Sequence, residues 1–306
     1  MVAVLCCGEA LIDMVPHALP QGLLLEPRPG GAALNTAVAL GRLGVPTGLL
    51  SGLGTDFLAG RLRDALTDAG VDLSLCVTTP RPCTLAFVDL SHGAPRYAFY
   101  DAGTADRMLT AADLPARVDA DCLLLGGISL AMEPCGDAFE TLMRREAGRS
   151  VTMIDANIRP AAIRDAAAYR ARLARMLGAA DIVKLSDEDL DWLAPGDGAA
   201  FTAGLIARGT ALVLVTEGAA GATARTRAGA WCERAPAVRV HDTVGAGDTF
   251  NAGVLASLHA AGALVPGAVH GLGESVLRGA LRRGIAAAAI TVGRAGANPP
   301  RAHELA

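Results

Sequence analysis

The chain is nearly without lysine: of its 27 basic residues only Lys184 is one, and arginine supplies the rest. That bias is read as a mark of GC-rich coding, without mechanistic weight. There is no basic cluster and the net charge is -4, so neither a nucleic-acid footprint nor a membrane-binding surface is indicated. Long apolar runs are missing as well. "GIAAAAITVG" is about half of the ~20 residues that a bilayer-spanning helix needs. The opening "MVAVLCCGEALIDM" has no basic leader and meets Glu9 and Asp13 early, which predicts no secretory signal. The seven cysteines are odd in number and lack metal-finger or redox-pair spacing, so buried free thiols in a reducing cytosol are expected. These absences predict a soluble, globular, cytoplasmic protein.

What is present is apolar and periodic. At 306 residues, 52% hydrophobic and 19% charged, the chain can bury roughly three quarters of its unfolded surface. Strand-type runs ("VAVLCCG", "TGLLSGLG", "DCLLLGG", "SVTMIDAN", "ADIVKLS", "ALVLVTEG") alternate with helix-type runs. "AALNTAVALGRLG" sets Leu34, Val38 and Gly41 on one helical face and stops at Gly44; "FLAGRLRDALTDAG" closes at Gly70. Further helices are expected near 136–147, 166–178 and 187–207. Continuous apolar strands between helices predict a mostly parallel sheet covered on both faces, an α/β three-layer class. Residues 14–28 and 83–100 break the rhythm and read as antiparallel strands, the second pair turning at "SHGAP". They are too few for a core of their own and are expected to form a small lid. No repeat or linker interrupts residues 1–306, which predicts one domain.

The stretch "DTVGAGDTFNAG" at 242–253 sets Asp242 and Asp248 on either side of a glycine turn, before an apolar segment. At a helix start the first N–H groups lack partners and the dipole adds about half a positive charge, so Gly245, Ala246 and Gly247 suit an anion such as phosphate. No Gly-Lys-Ser/Thr follows, which excludes a Walker loop, and the dinucleotide fingerprint is incomplete. Asp248 beside that hole would repel phosphate. The placement makes sense if it takes a proton from an attacking hydroxyl. Taken alone, it reads equally as an acid complementing the helix dipole.

A second stretch, "GGAALNTAVALGRLG" at 30–44, joins two glycines to Asn35 at another helix start. Together the two segments resemble the signatures of the PfkB (ribokinase-like) sugar kinases, and the resemblance runs the length of the chain, lid included. It implies a three-layer α/β/α ribokinase-like fold with a β-strand lid, and transfer of phosphate from Mg-ATP to a sugar or nucleoside hydroxyl. By that resemblance Asp248 is the catalytic base and Gly245, Ala246 and Gly247 the anion hole. Asp13, Gly30, Gly31 and Asn35 fall where the family holds substrate hydroxyls. Read singly, Asp13 is also a turn acid and Asn35 a helix cap. "VTEGAAG" at 215–221 resembles the strand-turn beside the nucleotide, matching at Thr216, Gly218 and Gly221, with Glu217 in a usually apolar place. "VKLSDEDL" resembles the family's Asn-x-x-Glu region, with Ser186 and Asp189 in those places; an acidic helix start is the plainer reading, and water-mediated magnesium contact through Asp189 is the implied one. Asp242, with carbonyls near Val244, Thr291, Arg294 and Gly296, resembles a monovalent-cation loop for potassium, although Pro300 lacks the hydroxyl that some members offer.

Within the family, "YAFYDAGTADRML", "GGISL" and "DANIRP" look most like bacterial fructokinases. Tyr97, Phe99 and Tyr100 would wall the sugar or pack within the lid. Arg159 would bind sugar hydroxyls or phosphate, or pair with Asp155 or Asp101. A 2-keto-3-deoxygluconate kinase commonly carries a lid arginine where this chain has Asp101, which favours a neutral ketose. A ribose or nucleoside kinase and a catalytically silent sugar-binding regulator stand as alternatives. The expected partners are ATP and a small sugar, with neither nucleic acid nor membrane, and an exposed lid edge suits a homodimer.

Overall fold

The structure, a computed structural model, describes residues 2–19, 22–89 and 96–305. The "SHGAP" turn therefore lies outside the described residues. In chain order the elements are β1 (Val2–Cys7), β2 (Leu11–Leu19), β3 (Gly22–Gly30), α1 (Ala32–Arg42), β4 (Thr47–Leu50), β5 (Gly52–Leu53) and α2 (Phe57–Asp68). Then come β6 (Val77–Thr78), β7 (Leu85–Asp89), β8 (Arg96–Tyr100), β9 (Ala120–Gly126), α3 (Cys135–Glu146), β10 (Val151–Asp155), α4 (Ala166–Ala179) and β11 (Ile182–Ser186). The remainder is α5 (Asp187–Leu193), α6 (Gly198–Arg208), β12 (Leu212–Thr216), β13 (Ala222–Thr226), β14 (Gly229–Glu233), α7 (Ala246–Ala260) and α8 (Glu274–Val292).

The main sheet has the order β14-β13-β12-β11-β10-β9-β1-β4. Every pairing from β4 to β12 is parallel, as the unbroken apolar runs predict. Successive residues point to opposite faces, so each strand serves two layers. Val4 and Cys6 pack with α1, α2, α7 and α8, whereas Leu5 and Cys7 pack with α3, α4 and α6. The result is a sheet between two helical layers. Its C-terminal strand ends bring Glu9, Gly126, Asp155, Ser186 and Thr216 to one edge, where open α/β sheets form their crevice.

A second sheet, β3-β2-β7-β8, stands over that edge. It joins the two expected strand pairs, but through a parallel β2–β7 contact. Other departures have local causes. The stretch expected as one helix over 187–207 is two, α5 and α6, because "APGD" interrupts it and Gly196 takes a left-handed φ of 73°. β13 and β14 form an antiparallel extension that no apolar run announced; their residues "ATARTR" and "GAWCE" are half-buried at most on one face. "GIAAAAITVG" supplies the C-terminal half of α8. Among the described residues no helix is long and apolar enough to cross a membrane. Five cysteines are buried, but Cys76 is only partly so and Cys232 is exposed, which corrects the uniform expectation of buried thiols.

Candidate active site

Two helix starts meet above the sheet edge. α1 begins after Gly31, whose φ of 100° few other residues adopt; a Cβ there would lie 2.6 Å from the Glu9 carbonyl oxygen. Glu9 is buried and ties this start down, accepting from Ala32 N at 3.0 Å, Ser129 N at 3.2 Å and Ser129 Oγ at 2.6 Å. Gly30 pairs with Leu11 across β2–β3, and the Asp13 side chain reaches over it, so that a Cβ at Gly30 would overlap Asp13 Oδ2. Burial, with Glu9 adding repulsion, pushes the Asp13 carboxyl up to about 7.

α7 begins after Gly245, which is left-handed at φ 76° and packs on Ala297. Ala246 N bonds Thr243 O at 3.2 Å. Among the described residues, Gly245, Gly247 and Asp248 have no bond to their N–H groups. Of the three residues expected to line the anion hole, Ala246 therefore has its N–H engaged in the turn, and the next N–H, that of Asp248, is free in its place. The Asp248 side chain lies inside this cup and accepts from Asn35 Nδ2 at 2.9 Å, so the two signature stretches meet directly. Burial pushes the Asp248 carboxyl up to about 7; the Asn35 bond acts against the rise, Asp155 adds to it, and Lys184 and Arg159 oppose it.

Below lies a cluster the sequence reading passed over. Lys184, 4% exposed, sits in β11 opposite Asp155 of β10. Its Nζ is 3.1 Å from Asp155 Oδ1 and donates to Oδ2 at 3.4 Å, while Asn251 Nδ2 donates to the same Oδ2 at 2.6 Å. The available signal was a charge inside the apolar run "IVKLS", since a fully buried lysine is rare unless paired.

The remaining candidates divide. Asp189 is buried with both oxygens engaged: Oδ2 accepts from Ser186 N and Oδ1 from Ile158 N, each at 2.8 Å. Ser186 Oγ accepts from Asp189 N, so the pair forms the capping box of α5. That geometry favours the helix-start reading over a metal contact. Thr216 ends β12, and Gly218 and Gly221 take φ of 52° and 109° in the turn that follows. A Cβ at Gly221 would overlap the Glu233 carbonyl oxygen. Asp242 accepts from Val244 N at 3.0 Å and Gly296 N at 2.8 Å, which clips the glycine turn to the loop after α8. Thr291 is buried against Thr249 of α7, and Arg294 pairs with Glu304. Beside this loop a cleft of about 620 Å³ opens between Pro236, Val238 and Arg239 and the α8 residues Ala286, Ala289 and Ile290. The sequence reading did not anticipate it.

The lid aromatics split by strand alternation. Tyr97 and Phe99 stack at 5.9 Å on the inner, half-buried face, where burial, with the charge of Asp13 adding, raises the Tyr97 hydroxyl. Tyr100 points the other way, 62% exposed against Phe87, so it does not wall the site. Asp101 is also corrected. It is 3% exposed and paired with Arg107 at 2.9 Å and Arg164 at 2.6 Å, so its charge is compensated away from the pocket. Arg159 is exposed and donates only to Ile158 O at 3.0 Å among the described residues; it pairs with neither Asp155 nor Asp101.

A family model described as "pfkB family carbohydrate kinase" matches residues 1–304. A fructokinase of Rhizobium leguminosarum bv. trifolii is 48% identical over 278 residues, covering 90% of this chain and 85% of the relative. Among solved structures, fructokinase from Xylella fastidiosa with bound ATP superposes with a TM-score of 0.90 at 30% identity, covering 99% of this chain and 96% of that one. A double-mutant fructokinase from Vibrio cholerae O395, in its fructose-, ADP- and potassium-bound form, superposes at 0.84 with 26% identity, covering 97% and 94%. Paired helix starts, a buried aspartate at the second and a match over nearly the whole length agree: the chain belongs to the pfkB family of carbohydrate kinases, with the ribokinase-like three-layer fold.

Proposed function

We propose that the chain is an ATP-dependent fructokinase that moves the γ-phosphoryl group of ATP to the 6-hydroxyl of fructose. One observation carries the chemistry: Asp248 is buried among unbonded N–H groups, steered by Asn35 and raised to about 7. In the step, the sugar hydroxyl proton passes to the Asp248 carboxylate as its oxygen bonds to phosphorus. The bond from phosphorus to the bridging oxygen breaks, and its electron pair leaves on ADP. The N–H groups of Gly245, Gly247 and Asp248 stabilise charge on the group in flight. Asp13, Asn35 and the backbone at Gly30 and Gly31 hold sugar hydroxyls, with Tyr97 and Phe99 above them. The fructokinase relatives, one with ATP bound and one with fructose and ADP, support this reading.

The nucleotide base is assigned to the cleft between Val238 and α8, and its phosphates to the side of Ser186, Thr216, Gly218 and Gly221. Among the described residues no group of three or more His, Cys, Asp or Glu could hold a metal. That suits magnesium carried mainly by nucleotide phosphates and water, where it would neutralise phosphate charge. Asp242 with the carbonyls of Val244, Thr291, Arg294 and Gly296 is proposed as an all-oxygen set for potassium; the Asp242 bond to Gly296 N, which joins the two loops, and the potassium-bound relative support it. Residues 1–306 are proposed as one cytoplasmic kinase unit closed by lid strands within 14–28 and 83–100. Its exposed Leu23, Leu24 and Tyr100 are proposed to meet a second copy.

An assay of ADP release against fructose, ribose, a nucleoside and 2-keto-3-deoxygluconate tests the reading. Fructose is expected to give the highest kcat/KM, and Asp248→Asn to lower kcat by ~10²–10⁴-fold while leaving fructose binding intact. Arg159 motivates the one rival, because an exposed guanidinium without a carboxylate partner suits an acid sugar. If 2-keto-3-deoxygluconate wins, the ketose reading fails. If none of these sugars supports ADP release, a silent binding protein remains.

A further inference from the structure

The only lysine in the chain lies under the phosphate-binding turn. A Cβ at residue 247 would stand 3.3 Å from Lys184 Nζ, so the missing side chain of Gly247 lets the ammonium reach the backbone whose N–H is unbonded. Asp155 holds the ammonium from below, but loosely: the Nζ–Oδ2 bond is 3.4 Å, and the nearer Oδ1 has no aligned donor among the described residues. Oδ2 already takes the shorter bond from Asn251, which stands on α7 less than one turn after Asp248. Lys184 therefore keeps donor capacity on the side that faces the turn.

Its charge is secure. Burial works against it, but Asp155, Asp189 and Asp248 outweigh burial and hold the ammonium above its ordinary range. A buried salt bridge serving stability alone would be a poor use of this position, since removing two charges from water often exceeds what their attraction returns. Resting on the kinase reading above, we propose that Lys184 is a catalytic residue: its ammonium donates to an oxygen of the phosphoryl group seated at the start of α7 while that group moves from ATP to the sugar. Asp155 and Asn251 are the positioning residues that aim it. Proton, oxygen and electron pair follow the same course as in the step above; Lys184 neither gives up nor gains a proton.

The test uses Lys184→Met and the double variant Lys184→Met/Asp155→Asn, which removes the charge pair together. In the single variant kcat should fall by ~10²–10³-fold, as when a preorganised donor to a developing anion is lost. The fructose KM should move little. Melting temperature is expected to fall, because Asp155 is left buried without its partner, and to recover in the double variant. The decisive outcome is that kcat does not recover with it. If the double variant regains both stability and more than about a third of wild-type kcat, far above that ~10²-fold loss, Lys184 only neutralises Asp155 and the proposal is wrong. Calorimetry supplies a readout that needs no sugar turnover. Lys184→Met should weaken binding of the imido analogue of ATP by ~10-fold or more, the scale of one charge-assisted hydrogen bond, and leave ADP affinity unchanged. Equal losses for both nucleotides would overturn the contact with the terminal phosphoryl group, whichever sugar the enzyme prefers.

Discussion

A carboxylate buried beside an anion site needs something to hold it, and each acid here is held differently. Asn35 aims Asp248, whereas Gly30 makes room for Asp13. That room can be tested. In Gly30→Ala the new methyl would lie 2.8 Å from Asp13 Cγ, and the flexible end of Asp13 would give way before the backbone did. The sugar KM should rise by ~10–100-fold, the worth of hydrogen bonds to a charged group, while melting temperature barely changes. An unchanged KM would remove Asp13 from the sugar site. The Asn35–Asp248 pair was legible in the sequence because each residue sits in a dense local pattern of small residues, whereas Asp13, between Ile12 and Met14, was singled out by the family resemblance alone. Lys184, Asp155 and Glu9 were not, since each is a lone charge in an apolar strand or at its end. Pairing across the parallel sheet joins Lys184 to Asp155, and Glu9 finds its partners at the start of α1 and at Ser129. Asp101 misled for the same reason: Arg107 lies close by in sequence, but Arg164 is contributed by a distant turn.

At the scale of elements, the site depends on how deeply α7 can sit. α7 and α8 cross at glycines: a Cβ at Gly253 would lie 2.7 Å from Gly284 Cα, and one at Gly284 would lie 2.8 Å from Phe250 Cδ2 and 2.9 Å from Val254 Cγ2. Two effects of Gly284→Ala oppose each other. Helix propensity alone would stabilise α8 by ~0.5–1 kcal/mol. Overpacking against a rigid ring and a β-branched side chain costs about 1–3 kcal/mol, so the melting temperature should fall. Activity should fall with it, because Phe250 stands two residues from Asp248. A rise in melting temperature would mean that the crossing is looser than these distances imply. The central strands, α1 and α2 were readable from periodicity and terminal glycines. β13 and β14 were not, because an edge extension buries too little to write an apolar run. The single helix expected over 187–207 failed at "APGD", where a left-handed glycine ends one helix before the next begins.

Across the whole molecule, activity and stability should respond to pH in opposite directions. Asp13 and Asp248 are raised to about 7 and Asp106 to about 6, in each case chiefly by burial. An acid whose folded pKa exceeds its unfolded value stays protonated in the native state while the unfolded chain ionises. The native state then binds more protons, so stability falls as pH rises from about 4 to about 7 and levels off above that. The surface acids Glu233, Glu274 and Glu304 are held low by arginines and backbone bonds, and their stabilisation is lost only at the acid end, below this window. Base catalysis needs ionised Asp248, so kcat/KM should climb with pH through about 7, where the apo protein has already lost stability. Asp248→Asn separates the two effects, since an amide has no ionisation penalty in the same pocket. Thermal unfolding of both proteins without ligands, measured from pH 4 to 8, should give similar melting temperatures at the acid end and a more stable variant at the alkaline end. If the two curves run parallel over that range, burial does not raise the Asp248 carboxyl, and its fitness as a base must come from bound substrate instead.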